Sequence, residues 1–592
     1  MSEPLSQYRH YAELARQKAR KLSKQLHLLS LLRLFSFVGM LLFFFLLWDK
    51  NIYVAVSISI ALLVLFLFSV VRFQKTRLNK QYHEHLLTIN LNEIDALDHR
   101  FSLFEPGKEF IDPSHINSYD LDLFGNDSVF QFLNRTVTVS GKQCLADMLR
   151  TPMTNIEAIE NRQKYIAELS GDLEWRQAFL AKGMLYAGKT NELEIVESWA
   201  KQSYNLKLFR FFVPLKVFFY LLSVFAILYW IFYGNVAFVL LSALLQTALW
   251  VLNKNTIQKA YAHFGKSVQM LTRYEKLLTH IENAGWKSNE GAALIKSLHD
   301  KHRAASEISG LRSIISTFDN RNNFLIGIVL NLLFLLDLNS TYRLIKWHRR
   351  NCDNYMRWAK AIALADAAVS LANFAFNHPD YAYPVLHNNE FSIQASELGH
   401  PLIRPEKCVR NDFSFEHQTG VMIVTGANMS GKSTFLRTLG VNMVLGAAGA
   451  PVCARDMKYK PVAVYSNMRT SDSLSDDESY FFAELKRIKA ILDEISSGRE
   501  LFVILDEILK GTNSVDKYKG SQKLIERLLQ QKAKVIIATH DLKLTEMAGD
   551  YPELIINKCF EIEIINNEML FDYRLRHGVT SVMNATFLMK KM

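Results

Sequence analysis

The stretch Val421-Met-Ile-Val-Thr-Gly-Ala-Asn-Met-Ser-Gly-Lys-Ser-Thr-Phe-Leu-Arg437 decides the reading of this chain. An apolar, β-rich run ends at Gly426, a loop closes at Gly431, and a helix begins near Lys432. The spacing fits G-x-x-x-x-G-K-[ST], in which the glycines let backbone N–H groups wrap around phosphate oxygens. The helix start adds its positive dipole end. The motif alone is loose, but a strand before it and a helix after it make it specific. Gly426, Asn428, Met429, Ser430, Gly431, Lys432, Ser433 and Thr434 are therefore candidates for binding the phosphates of ATP. Lys432 would reach the β- and γ-phosphates, and Ser433 would hold Mg²⁺.

Two later segments extend the loop into a site. Leu501-Phe-Val-Ile-Leu505 is a continuous apolar run, as expected of a strand buried on both faces, and it ends in Asp506-Glu507. An acidic pair at the carboxyl end of such a strand falls beside the phosphate loop in an open α/β sheet. Asp506 would assist Mg²⁺, and Glu507 would polarise the attacking water. A third β-rich run, Lys534-Val-Ile-Ile-Ala-Thr, ends at His540-Asp541, which makes His540 a candidate γ-phosphate sensor. The acidic, serine-rich stretch from Ser471 is expected to be a loop, with Ser479 capping the helix that follows.

These residues resemble the MutS proteins, a family within the ABC-ATPase clan. The Asn428-Met429 pair inside the loop, Asp506-Glu-Ile-Leu-Lys-Gly-Thr-Asn-Ser-Val-Asp516, Ala538-Thr-His540 and Ser479-Tyr-Phe-Phe-Ala-Glu484 carry the resemblance. It implies that Ser479 acts in trans on ATP held by an opposing subunit, and hence a homodimer closed through the ATPase domains. Upstream, Asp120-Leu-Asp-Leu-Phe-Gly, Leu133 to Gly141, Arg150-Thr-Pro152 and Asn161-Arg-Gln163 resemble the start of the MutS core, and Gly399-His-Pro401 and Asn411-Asp412 its lead-in to the ATPase. The resemblance covers roughly residues 115 to 205 and 255 to 592. It implies mismatched or branched DNA as ligand, in repair or recombination. Against that, no mismatch-reading domain or Phe-x-Glu wedge is legible before the core, residues 254 to 400 are short for levers plus a DNA clamp, and the dimerising extension after Tyr573-Arg-Leu-Arg-His-Gly is short or absent.

Composition adds lipid to the expectations. The chain of 592 residues is 49% hydrophobic and only 21% charged. Two paired runs account for this: Leu34 to Trp48 with Ile52 to Val71, and Val217 to Tyr233 with Val236 to Leu252. Each approaches the length that crosses a hydrocarbon core as a helix. Leu41-Leu-Phe-Phe-Phe-Leu-Leu-Trp48 has no polar stripe of the kind a soluble helix keeps. Trp48, Tyr53, Trp230, Tyr233 and Trp250 sit at run ends, as interfacial anchors do. Basic residues flank both pairs outside their turns (Arg9 to Arg33 and Arg72 to Lys80, then Lys201 to Lys216 and Lys254 to Lys259). By the positive-inside rule both hairpins dip into an inner, cytoplasmic membrane and return, leaving the N-terminus and the ATPase in the cytoplasm.

The net charge of +11 suits nucleic acid or anionic lipid, but much of it clusters beside the apolar runs, where topology accounts for it first. Five scattered cysteines form no C-x-x-C or metal-ligand spacing and suit reduced thiols.

The expected fold class is an α/β C-terminal phosphate-loop ATPase domain of ABC type, plus a mostly α-helical core and lever region and two transmembrane helical hairpins. The expected divisions are a basic amphipathic helix over 1–33, suited to a membrane surface; a transmembrane hairpin over 34–71; a connector over 72–110; core segments over 111–210 and 254–400 around a second hairpin at 211–253; and the ATPase over 401–592. Phe324 to Leu336 reads as a buried core helix. The favoured function is a membrane-anchored, Mg²⁺-dependent ATPase engaging DNA. A membrane mechanical or scaffolding ATPase without DNA binding competes with it. An ABC-type transporter fits less well, because no Leu-Ser-Gly-Gly-Gln signature precedes Asp506 and few ionisable groups lie inside the apolar runs.

Overall fold

Two helices of 46 residues begin the chain, α1 (Glu3–Trp48) and α2 (Ile52–Leu97), joined by a turn in which the Asn51 side chain accepts from the N–H groups of Tyr53 and Val54 at 3.1 and 3.2 Å. At 1.5 Å per residue each is roughly 69 Å long. The computed structural model describes residues 3–187, 209–264, 267–299, 302–319, 331–469, 480–509, 513–565 and 568–580. Hydropathy changes near residues 33 and 71, but both positions lie inside unbroken helices, so the boundaries read there are changes of composition rather than of structure. Nor does the first third of α1 present a free amphipathic face. Tyr8, Ala12, Ala15 and Ala19, spaced three and four apart, are buried against protein. The apolar thirds near the turn are bare: Phe45 is 74% exposed and Phe68 64%.

A helical region follows: α3 (Val129–Leu133), α4 (Val139–Arg150), α5 (Ile156–Ser170) and α6 (Leu173–Leu185). Then come the second apolar pair, α7 (Phe212–Tyr233) and α8 (Ala237–Phe264), and α9 (Val268–Glu282), α10 (Asn289–Leu298) and α11 (Ala304–Asp319). The 42-residue α12 (Leu336–Asn377) runs through the whole region. Its Trp347, Trp358 and alanine-rich second half fill the helical core. Among the described residues five helices are long and apolar enough to cross a membrane. Only 6 to 22% of the most apolar stretch is buried in α1, α2, α7 and α8, against 78% in α12. Most of the run Phe324 to Leu336 lies outside the described residues.

α12 is fastened at both ends. Near its start Trp250 Nε1 of α8 donates to Asp337 Oδ2 at 3.0 Å, and Phe212 of α7 stacks on Tyr342. At its end Asn377 accepts from the Tyr8 hydroxyl at 2.8 Å and donates to Glu93 Oε2 at 2.8 Å. Glu93 on α2 is paired with Arg135, Nε to Oε1 at 2.5 Å, with both side chains nearly inaccessible. Asp366 on α12 caps α4, accepting from the N–H groups of Val137 and Thr138 and from the Thr138 hydroxyl at 2.7 Å.

The C-terminal region alternates strands and helices, with α13 (Lys432–Ala447), α14 (Tyr480–Ser496), α15 (Ser514–Gln530) and the short α16 (Met547–Asp550). Strands β1 (Val385–Leu386), β2 (Ile393–Leu398), β3 (Asn411–Phe415) and β5 (Asp456–Tyr459) make a small mixed sheet of order β1-β5-β2-β3. The main sheet holds β4 (Val421–Gly426), β6 (Ala463–Asn467), β7 (Leu501–Asp506), β8 (Lys534–Thr539), β9 (Ile555–Ile565) and β10 (Glu568–His577). Its order is β10-β9-β4-β8-β7-β6, parallel except for the β9–β10 hairpin. β4 is central and wholly buried, which explains its unbroken apolar sequence. The loop over 116–122 fastens this domain to the helical core. Asp120, fully buried, accepts from the Arg469 N–H at 2.9 Å, the Ser466 hydroxyl at 2.9 Å and Arg487 at 3.3 Å.

Candidate nucleotide site

Parallel pairing brings the ends of β4, β7 and β8 side by side, because Thr425 lies opposite Thr539 and Asp506 opposite Ala538. The loop after β4, the acidic pair after β7 and His540 after β8 consequently open on one cavity of about 900 Å³. Asn428, Met429, Ser430, Gly431, Lys432, Ser433, Thr434, Asp506, Glu507 and His540 all line it. Gly426 lies beneath, with φ +156°, and a Cβ there would come within 2.7 Å of Ser430 Oγ and 2.9 Å of the Phe560 carbonyl. Gly431, with φ +102°, lies under the Tyr573 ring. Both positions need glycine for backbone conformation as well as for space.

The Lys432 ammonium is drawn across the loop, donating to the carbonyls of Gly426 and Ala427 at 2.8 and 2.9 Å, with His540 Nε2 at 3.3 Å. Burial pushes its pKa down to about 8, and the carboxylates of Glu507 and Asp506 oppose that shift only partly. His540 Nε2 also lies 2.9 Å from Glu507 Oε1, so lysine, imidazole and carboxylate form a chain along one wall. Glu507 takes φ +53°, and its N–H is held by the Ala538 carbonyl at 2.9 Å. A non-glycine residue held in this region of backbone space is a common mark of a working site. Glu484 of α14 reaches the same loop, accepting from the Leu509 N–H at 2.6 Å.

The residues fit a nucleotide with Mg²⁺. Ser430 Oγ is buried without a hydrogen-bond partner at the mouth of the glycine-bounded cradle. Ser433 and Asp506 supply hard oxygen donors of the kind Mg²⁺ takes. Ser479 lies outside the described residues.

An aromatic wall was missed from the sequence. Phe571 and Tyr573 of β10 line the cavity, their rings 5.9 Å apart and inclined by 15°. Tyr573 is delivered by a β-bulge between Phe571 and Leu575, where Asn411 Nδ2 donates to the Tyr573 carbonyl at 3.0 Å and the Leu575 N–H donates to Asn411 Oδ1 at 2.8 Å. Tyr-Arg-Leu-Arg-His-Gly near the end of the C-terminal α/β region is the available signal, but nothing local says which way its tyrosine faces. Cys408, where an aromatic residue would be expected from the family pattern, is on the cavity wall too.

A glycine-bounded loop from a central parallel strand into a helix, with an acidic pair and a histidine on the next two strand ends, defines the phosphate-loop class of nucleotide-binding proteins. Residues 422–586 match the family profile of MutS domain V, and residues 116–201 match that of MutS domain III. In both regions the chain is similar to the MutS family. Its relatives include the DNA mismatch repair protein MutS of Thermotoga maritima, 29% identical over 37% of this chain and 27% of that protein. MutS of Ehrlichia chaffeensis is 31% identical over 39% and 28%, and MutS protein homolog 4 of Mus musculus 28% over 38% and 24%. The chain thus spans about a quarter of the length of these relatives. Residues 202–421, with α7, α8 and the whole of α12, stand outside both profiles.

Proposed function

We propose that this protein is a membrane-anchored ATPase of the MutS family that binds and hydrolyses MgATP and acts on mismatched or branched DNA. The carrying observation is the convergence of Lys432, Ser433, Asp506, Glu507 and His540 on one cavity. Lys432 would neutralise the β- and γ-phosphates, and Ser433 with Asp506 would hold Mg²⁺, which supplies charge neutralisation at the transferred phosphoryl group. Glu507, steadied by His540, would orient the attacking water and accept its proton. Two copies would close across the nucleotides, with Ser479 completing the partner's site. DNA as ligand is supported by the similarity to the DNA mismatch repair proteins MutS of Thermotoga maritima and Ehrlichia chaffeensis.

Anchoring is supported by the bare apolar surfaces of α1, α2, α7 and α8, which water would not tolerate at this extent. The flanking basic residues favour a cytoplasmic ATPase on an inner membrane. A second reading, a mechanical ATPase that does not touch DNA, is favoured by α12, which is fastened to both apolar hairpins.

The deciding experiment measures binding of detergent-solubilised protein to matched, mismatched and branched duplexes, with and without MgATP, across a salt series. Structure-selective binding modulated by MgATP supports the DNA reading. Binding indifferent to DNA structure that fades steeply with salt is the generic phosphate attraction, and it transfers the proposal to the mechanical ATPase.

A further inference from the structure

Two cysteines meet at the wall of the nucleotide cavity. Cys408 lines it, on a turn closed by the Cys408 N–H donating to the Arg404 carbonyl at 3.0 Å. Cys453 is buried behind it, beyond the end of α13. Gly399 sits between them: a Cβ there would lie 2.8 Å from Cys408 Sγ and 3.2 Å from Cys453 Sγ. Both sulfur atoms thus lie within 3.2 Å of a single point, so the two thiols are neighbours.

Their supports differ. The Cys453 N–H donates to Asn442 Oδ1 at 2.7 Å, and its carbonyl accepts from the Gly399 N–H at 2.8 Å. Asn442 also donates to the Gly399 carbonyl at 3.0 Å, and it belongs to α13, the helix that springs from the phosphate loop. Cys453 is therefore part of the framework, whereas Cys408 belongs to the cavity wall with Lys407 and Val409. The neighbouring Cys453 thiol, with the His400 carbonyl contact and the Arg410 guanidinium, draws the Cys408 thiol downward against its burial, and the Cys408 thiol together with burial pushes Cys453 up. This pattern sets an attacking thiolate on the accessible side and a resolving thiol behind it.

We propose that Cys408 and Cys453 form a reversible disulfide in response to small-molecule disulfides, and that this bond weakens nucleotide binding in the adjoining cavity. The effect on binding rests on the MgATP reading above. The Cys408 thiolate attacks one sulfur of R–S–S–R, forming a mixed disulfide and releasing one thiolate. Cys453 loses its proton to that thiolate and displaces the second. The two cysteines give up two electrons, and the oxidant becomes two thiols, one taking the Cys453 proton and the other the proton that Cys408 released to solvent on ionising. An S–S bond is about 2.05 Å long, far shorter than any non-bonded contact between two thiols. With Cys453 fixed through Asn442 and Gly399, Cys408 makes the movement and draws Lys407 and Val409 with it.

The test treats the full-length, detergent-solubilised protein with oxidised glutathione, maps disulfides by peptide mass spectrometry and measures MgATP binding. The expected result is a Cys408–Cys453 linked peptide and severalfold weaker binding, both reversed by dithiothreitol. Cys453→Ser should bind MgATP as the reduced protein does and ignore the oxidant. A glutathione adduct with no internal link, or a link that leaves affinity unchanged, overturns the proposal. Reduced protein that binds no MgATP, while the link still forms, overturns the nucleotide reading and the regulatory effect with it. The link remains readable by mass either way.

Discussion

Lys432 is a cation kept in a place that disfavours charge, and that has measurable consequences. With its pKa near 8, the side chain is an ammonium at pH 7 and becomes neutral as pH rises through 8. Nucleotide phosphates favour the charged form, so MgATP affinity should fall above pH 8 and binding there should take up a proton. Calorimetry in buffers of different ionisation enthalpy reads that uptake directly, and pH-independent affinity between 7 and 9 would contradict the assigned role. Lys432→Ala should abolish measurable nucleotide binding. Glu507→Gln should still bind MgATP but turn over about 10²- to 10⁴-fold more slowly in steady-state phosphate release, the range typical of a lost general base. Normal turnover in that variant would move the base elsewhere.

Why these side chains were legible in the sequence, and others were not, is a matter of range. Gly426, Gly431, Lys432 and Ser433 are set by one short loop whose backbone requirement is written in adjacent residues. Asp506, Glu507 and His540 follow because β7 and β8 are buried parallel strands and end where such strands must. Tyr573 depends on Asn411, far away in sequence, and on a bulge that only strand pairing creates. The Cys408–Cys453 contact likewise passes through Gly399 and cannot be seen from any spacing.

At the scale of elements, α4 shows how one glycine joins two segments. Gly141 lies in the first turn of α4 against Asp366 of α12, and an added Cβ would fall 2.2 Å from the Asp366 carboxylate. The contact admits no methyl, because Asp366 is held by three donors at the helix start. Gly141→Ala should therefore destabilise the protein by about 1–3 kcal/mol, the usual cost of overpacking, despite alanine's better helix propensity. A denaturant titration followed by intrinsic fluorescence measures it, and an unchanged midpoint would show that α4 and α12 can slide apart freely. The same scale explains why α1 and α2 run unbroken past residues 33 and 71. Helical hydrogen bonding is indifferent to hydropathy, so one helix passes from an alanine-faced, protein-packed third to a bare apolar third without a break.

Across the whole molecule, the buried Glu93–Arg135 pair and Asn377 clamp the foot of the first hairpin to the end of α12. Removing one charge from a buried pair leaves the other uncompensated, at a typical cost of about 3–5 kcal/mol. Glu93→Ala should accordingly loosen α1 and α2 from the core. Limited proteolysis should then release the hairpin from solubilised protein well before the parent chain is cut. Equal cleavage rates would mean that the alanine-faced packing of α1 suffices alone.

α12 is one unbroken helix, roughly 63 Å long at 1.5 Å per residue, and it is seated on a different apolar hairpin at each end. Such a rod has gearing. A tilt of about 5° at the Asn377 end would sweep the other end through roughly 5 Å, close to one helical pitch. A closure too small to alter the domain's outline could thus become a stroke of one turn at Trp250 and Tyr342, where the second hairpin is seated.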